Sequence, residues 1–191
     1  MTIFAFLDCE TTGLKPAECH VLEVAWVLTD KHFRQLSEPK TFLVELGLDW
    51  DDAVAQVSVS ESLTAMHTES DLWADLHLSE SMTLMQNIKT AFIDDVDKVR
   101  AEGASGGVRL AGYSVSFDRE FLRNNGWAEE FSDDGSGFRF HHRILDLSSV
   151  IQMFEAAGRS VPFIGNDNPH RALDDALNSW KRAKAIRDDL F

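Results

Sequence analysis

Cysteine is scarce in this chain, with 2 among 191 residues, and so is positive charge, with 18 Lys and Arg against 32 Asp and Glu. Cys9 and Cys19 could close one bridge at most, so a disulfide framework is excluded and both read as reduced thiols. The formal charge of −14 excludes a protein that coats duplex DNA or an anionic membrane by bulk attraction. Any nucleic-acid contact must be local. Long hydrophobic runs are missing too: Ile3 to Leu7 and Val24 to Leu28 fall far short of the roughly 20 residues that a membrane-spanning helix needs. No basic region precedes the first apolar run, which meets Asp8 and Glu10 at once, so no secretory signal is read and a cytoplasmic location is expected. Internal repeats and low-complexity blocks are also lacking.

What remains is a packed chain. Hydrophobic residues make up 44%, with 13 Phe and 5 Trp, enough for one core and one domain spanning 1–191. Ile3–Leu7 and Val21–Leu28 read as strands buried on both faces, the second interrupted only by Glu23. Thr41–Leu46 reads as a third strand, and the short spacings favour an antiparallel start to the sheet. Helical spacing of Leu84, Ile88, Phe92, Val96 and Val99 predicts a helix over 81–99. A turn-rich connector at Glu102–Gly107 leads to a strand at Val108–Tyr113 and a helix at Phe117–Asn125. Asp146 or Ser148 caps a further helix that runs to Gly158, and Ala172–Asp188 is amphipathic through Leu173, Ala176, Leu177 and Trp180. The expected class is α/β with a mixed sheet flanked by helices.

The chemistry begins where the first strand ends. Residues two apart on a strand share a face, so Asp8 and Glu10 present paired carboxylates at the end of a buried strand, just before the Thr11-Thr12-Gly13 turn. Like charges there call for a hard cation such as Mg²⁺ or Mn²⁺. Asp118 falls in the first turn of a helix, and His170 precedes another helix with Asp174 and Asp175 in its first turn. Taken singly, each has a plain alternative as a solvated end or a dipole-favoured acid. Periodicity from Ala172 leaves Asp174 and Asp175 equally eligible.

Taken together, Asp8-x-Glu10, Asp118 and His170-x-Ala172-x-x-Asp175 resemble the three motifs of the DEDDh, or DnaQ-like, 3′-to-5′ exonucleases of the ribonuclease H-like fold. The wording is most similar to oligoribonuclease at Met66–Leu72, Gly112–Val115, Asp118–Leu122, His141–Arg143 and Asp146–Ser148. Tyr113, Asp71 and His142 stand where that family has Asn, Gly and Tyr, and Thr11-Thr12-Gly13 is the wording of proofreading exonucleases. The resemblance implies hydrolysis of short or single-stranded nucleic acid to 5′-mononucleotides, with RNA oligonucleotides favoured and single-stranded DNA as the alternative. It implies that Asp8, Glu10, Asp118 and Asp175 hold two Mg²⁺ or Mn²⁺ ions. His170 would be the general base, since imidazole commonly titrates near neutrality, and Glu10 would help to position the water. Thr11, Thr12, Leu14, His67 and Ser114 are the expected substrate contacts. The likeness at His141–Ser148 reaches the segment that oligoribonucleases use near a partner's site, so a homodimer is expected. A catalytically idle binding module or an acidic nucleic-acid mimic is the alternative of another class, and it leaves the acid and His set without a purpose. Zinc at Cys9, Cys19 and His20 lacks a fourth ligand, and Gly103–Gly107 lacks the Lys-Ser/Thr of a phosphate cradle.

Overall fold

A computed structural model describes residues 2–47, 61–79, 81–103, 107–131, 138–161 and 170–190. The strands are β1 (Ile3–Thr11), β2 (Val21–Thr29), β3 (Lys40–Leu43), β4 (Val108–Gly112) and β5 (Leu145–Asp146). The α-helices are α1 (Glu61–Glu69), α2 (Leu72–Leu78), α3 (Met85–Ala101), α4 (Val115–Leu122), α5 (Leu147–Ala156) and α6 (Ala172–Leu190). One sheet takes the order β3-β2-β1-β4-β5. Its first three strands pair antiparallel, and β4 joins β1 in parallel, as β5 joins β4. This is the expected mixed α/β sheet.

Side-chain alternation along β1 builds two layers. Ile3, Ala5, Leu7 and Cys9 turn toward Trp26, Ile88, Phe92 and Val96 in the larger core. Phe6 turns the other way, toward Val27, Ala111, Leu147 and Ala183, with Trp180 packed beside them. Asp8 and Glu10 keep the parity of Phe6 and so continue toward the α6 face. All nine residues of β2 are buried, Glu23 included. The core needs one polar anchor, where the Trp26 indole donates to Asp95 at 3.1 Å while Lys40 pairs with the same carboxylate at 2.7 Å. Trp26 and Trp127 are fully buried.

Several boundaries differ from the pattern. β3 stops at Leu43 because Val44 forms an isolated bridge to Thr83, which keeps the chain extended there and delays α3 to Met85. The helix expected at 117–125 starts at Val115 and becomes a π-type turn over Arg123–Trp127, where Gly126 takes φ +94°. Asp146 caps α5 by accepting from the Ser148 and Ser149 amides, and Gly158 follows at φ +70°. α1 and α2 have no counterpart in the sequence reading. Among the described residues no helix is long and apolar enough to cross a membrane.

Candidate active site

β1 delivers the first two acids at its carboxyl end, and a register shift between Glu10 and Thr11 turns the chain out of the sheet. β4 ends beside them because Gly112 has no side chain: a Cβ there would lie 2.9 Å from the Leu7 carbonyl oxygen. That approach carries α4 in, and Asp118 Oδ1 accepts the Cys9 amide at 2.9 Å. α6 supplies the last acid. Asp175 Oδ2 accepts the His170 amide at 2.9 Å, and donor atoms of Glu10, His170 and Asp175 all lie within 4.8 Å of one another. Asp174 belongs to no such group among the described residues.

Electrostatics ties the acids together. Burial pushes the Glu10 carboxyl up to about 8, helped by the charges of Asp175, Glu23 and Asp118 and opposed by Arg171. Burial likewise pushes Asp118 up to about 7, against the hydrogen bond from the Cys9 amide. Asp8 is held well above the usual carboxylate range, first by burial and then by Asp118, Asp175, Glu10 and Glu23. Three of those four neighbours, Asp118, Asp175 and Glu10, are acids that the sequence motifs single out. Buried carboxylates that crowd one another favour the proton unless a cation replaces it, so this donor set suits a hard divalent ion.

The expected substrate contacts divide. Leu14 is 78% exposed, and Ser114 is exposed at φ +47° with its hydroxyl 3.1 Å from Ser148 Oγ. Thr11 and Thr12 are buried: Thr11 donates to the Gly13 carbonyl, and Thr12 accepts the His20 amide. Their hydroxyls shape the turn. His67 is 0% exposed, with Nε2 2.9 Å from the Thr11 carbonyl and Nδ1 3.7 Å from Glu10 Oε2. Its side chain therefore packs against the acid-bearing end of β1. Burial holds its imidazole below the ordinary value, so the neutral ring donates through Nε2.

Two residues escaped the sequence reading. Glu23 on β2 accepts from Arg171 and from the Ala172 amide, and so ties the start of α6 to the sheet. The available signal was a charge inside an otherwise apolar buried strand, which requires a buried partner.

No family model matches the sequence. The chain is 28% identical over 190 residues to the oligoribonuclease of Pseudoalteromonas translucida, covering 97% of this chain and 94% of that protein. It is 29% identical over 191 residues to the oligoribonuclease of Streptomyces avermitilis, covering 97% and 86%. By fold it is similar to E. coli exonuclease I in a complex with single-stranded DNA, with TM-score 0.63, 20% identity, and 99% of this chain but 41% of that chain covered. Exonuclease I of Methylocaldum szegediense gives TM-score 0.61, 17% identity, and 98% and 41% coverage. The chain thus spans about two fifths of exonuclease I and nearly all of the oligoribonucleases. By sequence it is similar to the oligoribonucleases over nearly its whole length, and by fold it is similar to exonuclease I.

Proposed function

We propose that the chain is a metal-dependent 3′-to-5′ exonuclease that releases 5′-mononucleotides from short or single-stranded nucleic acid, acting as one domain over 1–191. The observation that carries this reading is the convergence of Glu10, His170 and Asp175 donor atoms beside the charges of Asp8 and Asp118. Asp8, Glu10, Asp118 and Asp175 would hold two Mg²⁺ or Mn²⁺ ions. When bound, such ions supply Lewis acidity toward the attacking water and the leaving 3′ oxygen. His170 takes the proton of the attacking water at its imidazole nitrogen, and Glu10 orients that water. Leu14 and Ser114 offer exposed side chains to the substrate, whereas Thr11, Thr12 and His67 act by shaping the turn and backing Glu10.

RNA oligonucleotides are the favoured substrate, since the near-full-length relatives are named oligoribonucleases. Single-stranded DNA is the second reading, supported by the Thr11-Thr12-Gly13 wording and by exonuclease I bound to DNA oligonucleotides. A 5′-labelled strand of either polymer, at several lengths, should give an EDTA-sensitive ladder. No ladder on any of them sinks the proposal. We also propose a homodimer in the cytoplasm, a location in keeping with the free thiols of Cys9 and Cys19. Sedimentation at the mass of a 21.5 kDa monomer at micromolar concentration would count against the dimer.

The metal requirement has a signature in stability. Without metal, the raised carboxyls of Glu10 and Asp118 bind protons more tightly folded than unfolded. Their stabilising effect is complete below the unfolded carboxylate range near pH 4 and disappears as pH rises through about 7 to 8. Thermal midpoints in EDTA should fall between pH 5.5 and pH 8.5, and Mn²⁺ should raise the midpoint more at the upper pH, because binding displaces protons. A Mn²⁺ shift equal at both values would refute this coupling.

A further inference from the structure

We propose that Glu23 and Arg171 form a buried clamp that sets His170 and Asp175 against Glu10, which makes both of them positioning residues. The inference rests on the exonuclease reading for its catalytic consequence, although the clamp itself is visible in the contacts. Glu23 is 2% exposed on a strand buried along its whole length. A carboxylate there carries a heavy desolvation penalty unless it is fully hydrogen-bonded. It is well supplied. Arg171 donates through Nε at 3.2 Å and Nη2 at 3.0 Å, the Ala172 amide donates at 2.9 Å, and Thr41 Oγ1 donates at 3.2 Å.

Three of those four bonds come from the two residues that follow His170. Ala172 opens α6, and the residue at the cap position, Arg171, has no acceptor side chain for the first helical amides. Glu23 supplies that acceptor from another element. The start of α6 is therefore fixed to β2 by a charged cap and by a two-pronged guanidinium pair, the most directional of ion pairs. β2 in turn is fixed to β1, with Glu23 opposite Glu10 in the antiparallel register. Side chains directly opposed on one face stand about 4.5–5.5 Å apart at Cβ, so whatever Glu23 holds is delivered beside Glu10.

Charge supports the same role. Two opposed glutamates repel each other, and a cation that neutralised both would compete with metal for Glu10. Arg171 makes its hydrogen bonds to Glu23 and also reaches Asp75 at 2.8 Å and the Ser70 carbonyl at 3.4 Å. Ser70 ends the α1 turn that carries His67, whose ring bears on Glu10 and the Thr11 carbonyl from the other side. The segment from His67 to Asp75 thus braces both halves of the site: His67 touches the β1 acids, and Ser70 and Asp75 hold the arginine that precedes α6.

Three variants of the full chain separate positioning from simple structural support. Glu23→Gln keeps an acceptor for the Ala172 amide but loses the charge that holds Arg171, and Arg171→Lys keeps the charge but loses the fork. Both should lower kcat by about tenfold or more with KM changed by less than about threefold, as expected when alignment and not binding is lost. The double variant should be no more than about threefold below the worse single one, because both break the same contact. Titration with Mn²⁺, followed without substrate, should show affinity weakened by about tenfold in Glu23→Gln and Arg171→Lys. A folded Glu23→Gln or Arg171→Lys protein with parental kcat and Mn²⁺ affinity, its only defect a lower melting temperature, overturns the clamp. Should Glu23→Gln not fold, Arg171→Lys alone decides. If the parent protein cleaves nothing, the exonuclease reading fails, and the Mn²⁺ titration still decides the clamp.

Discussion

Asp175→Asn is expected to lower turnover by at least about a hundredfold, roughly 2.7 kcal/mol of transition-state stabilisation, whereas Asp174→Asn costs less than about tenfold. The two acids are neighbours on one helix, so composition and local environment differ little between them. About 100° of helical rotation separates their side chains, and among the described residues Asp175 is the one grouped with Glu10 and His170. Asp175 accepts the His170 amide and lies within 4.8 Å of Glu10, and its charge is among those that raise both Asp8 and Glu10. Asparagine keeps the volume and can still accept the His170 amide through its carbonyl oxygen. The substitution therefore removes charge and little else. Kinetics at saturating Mn²⁺ give the measurement: a dead Asp174→Asn beside an active Asp175→Asn would overturn the register of the third motif.

That register shows how far the sequence could be read. Periodicity along α6 identifies the buried side through Ala172, Ala176 and Ala183, yet it is silent on which of two adjacent acids faces a strand more than 160 residues earlier. The spacing of the motif family supplied the choice. β1 and β2 were legible because strands covered on both faces need unbroken apolar runs, and α3 because Ile88, Phe92, Val96 and Val99 recur at helical spacing against Trp26. α1 and α2 were not, since Thr64, His67 and Thr68 break any apolar stripe and the helices are held by contacts made elsewhere in the chain. His67 is the clearest case. Its residue type suits a surface that meets phosphates, but its packing at right angles to Trp73 and its bond to the Thr11 carbonyl place it behind the turn. Thr11 and Thr12 are spent in the same way on the turn, as a short polar side chain there hydrogen-bonds nearby backbone. Glu23 and Arg171 stand 148 positions apart, and no local pattern joins them.

His170→Ala should lower kcat by about a hundredfold to ten-thousandfold, the range for loss of a positioned base, with Mn²⁺ affinity changed much less because the acids remain. The side chain is exposed, so its removal leaves no core cavity and the fold should persist. Its backbone is unusual: His170 holds φ +66°, a left-handed conformation that costs most residues about 1 kcal/mol and that asparagine tolerates better than alanine. The amide is fixed there by the bond to Asp175, so the strain aims the imidazole toward Glu10 and away from the helix that follows. His170→Asn is therefore the cleaner variant. It keeps the turn and removes the base, and it should be as inactive as His170→Ala while melting at or above the temperature of the alanine form. Added imidazole should restore part of the activity of His170→Ala, since the vacated position opens to solvent and the acids still stand beside it. A His170→Asn protein that retained more than about a tenth of parental kcat would remove proton transfer from the role of this residue and leave it a place among the metal donors instead.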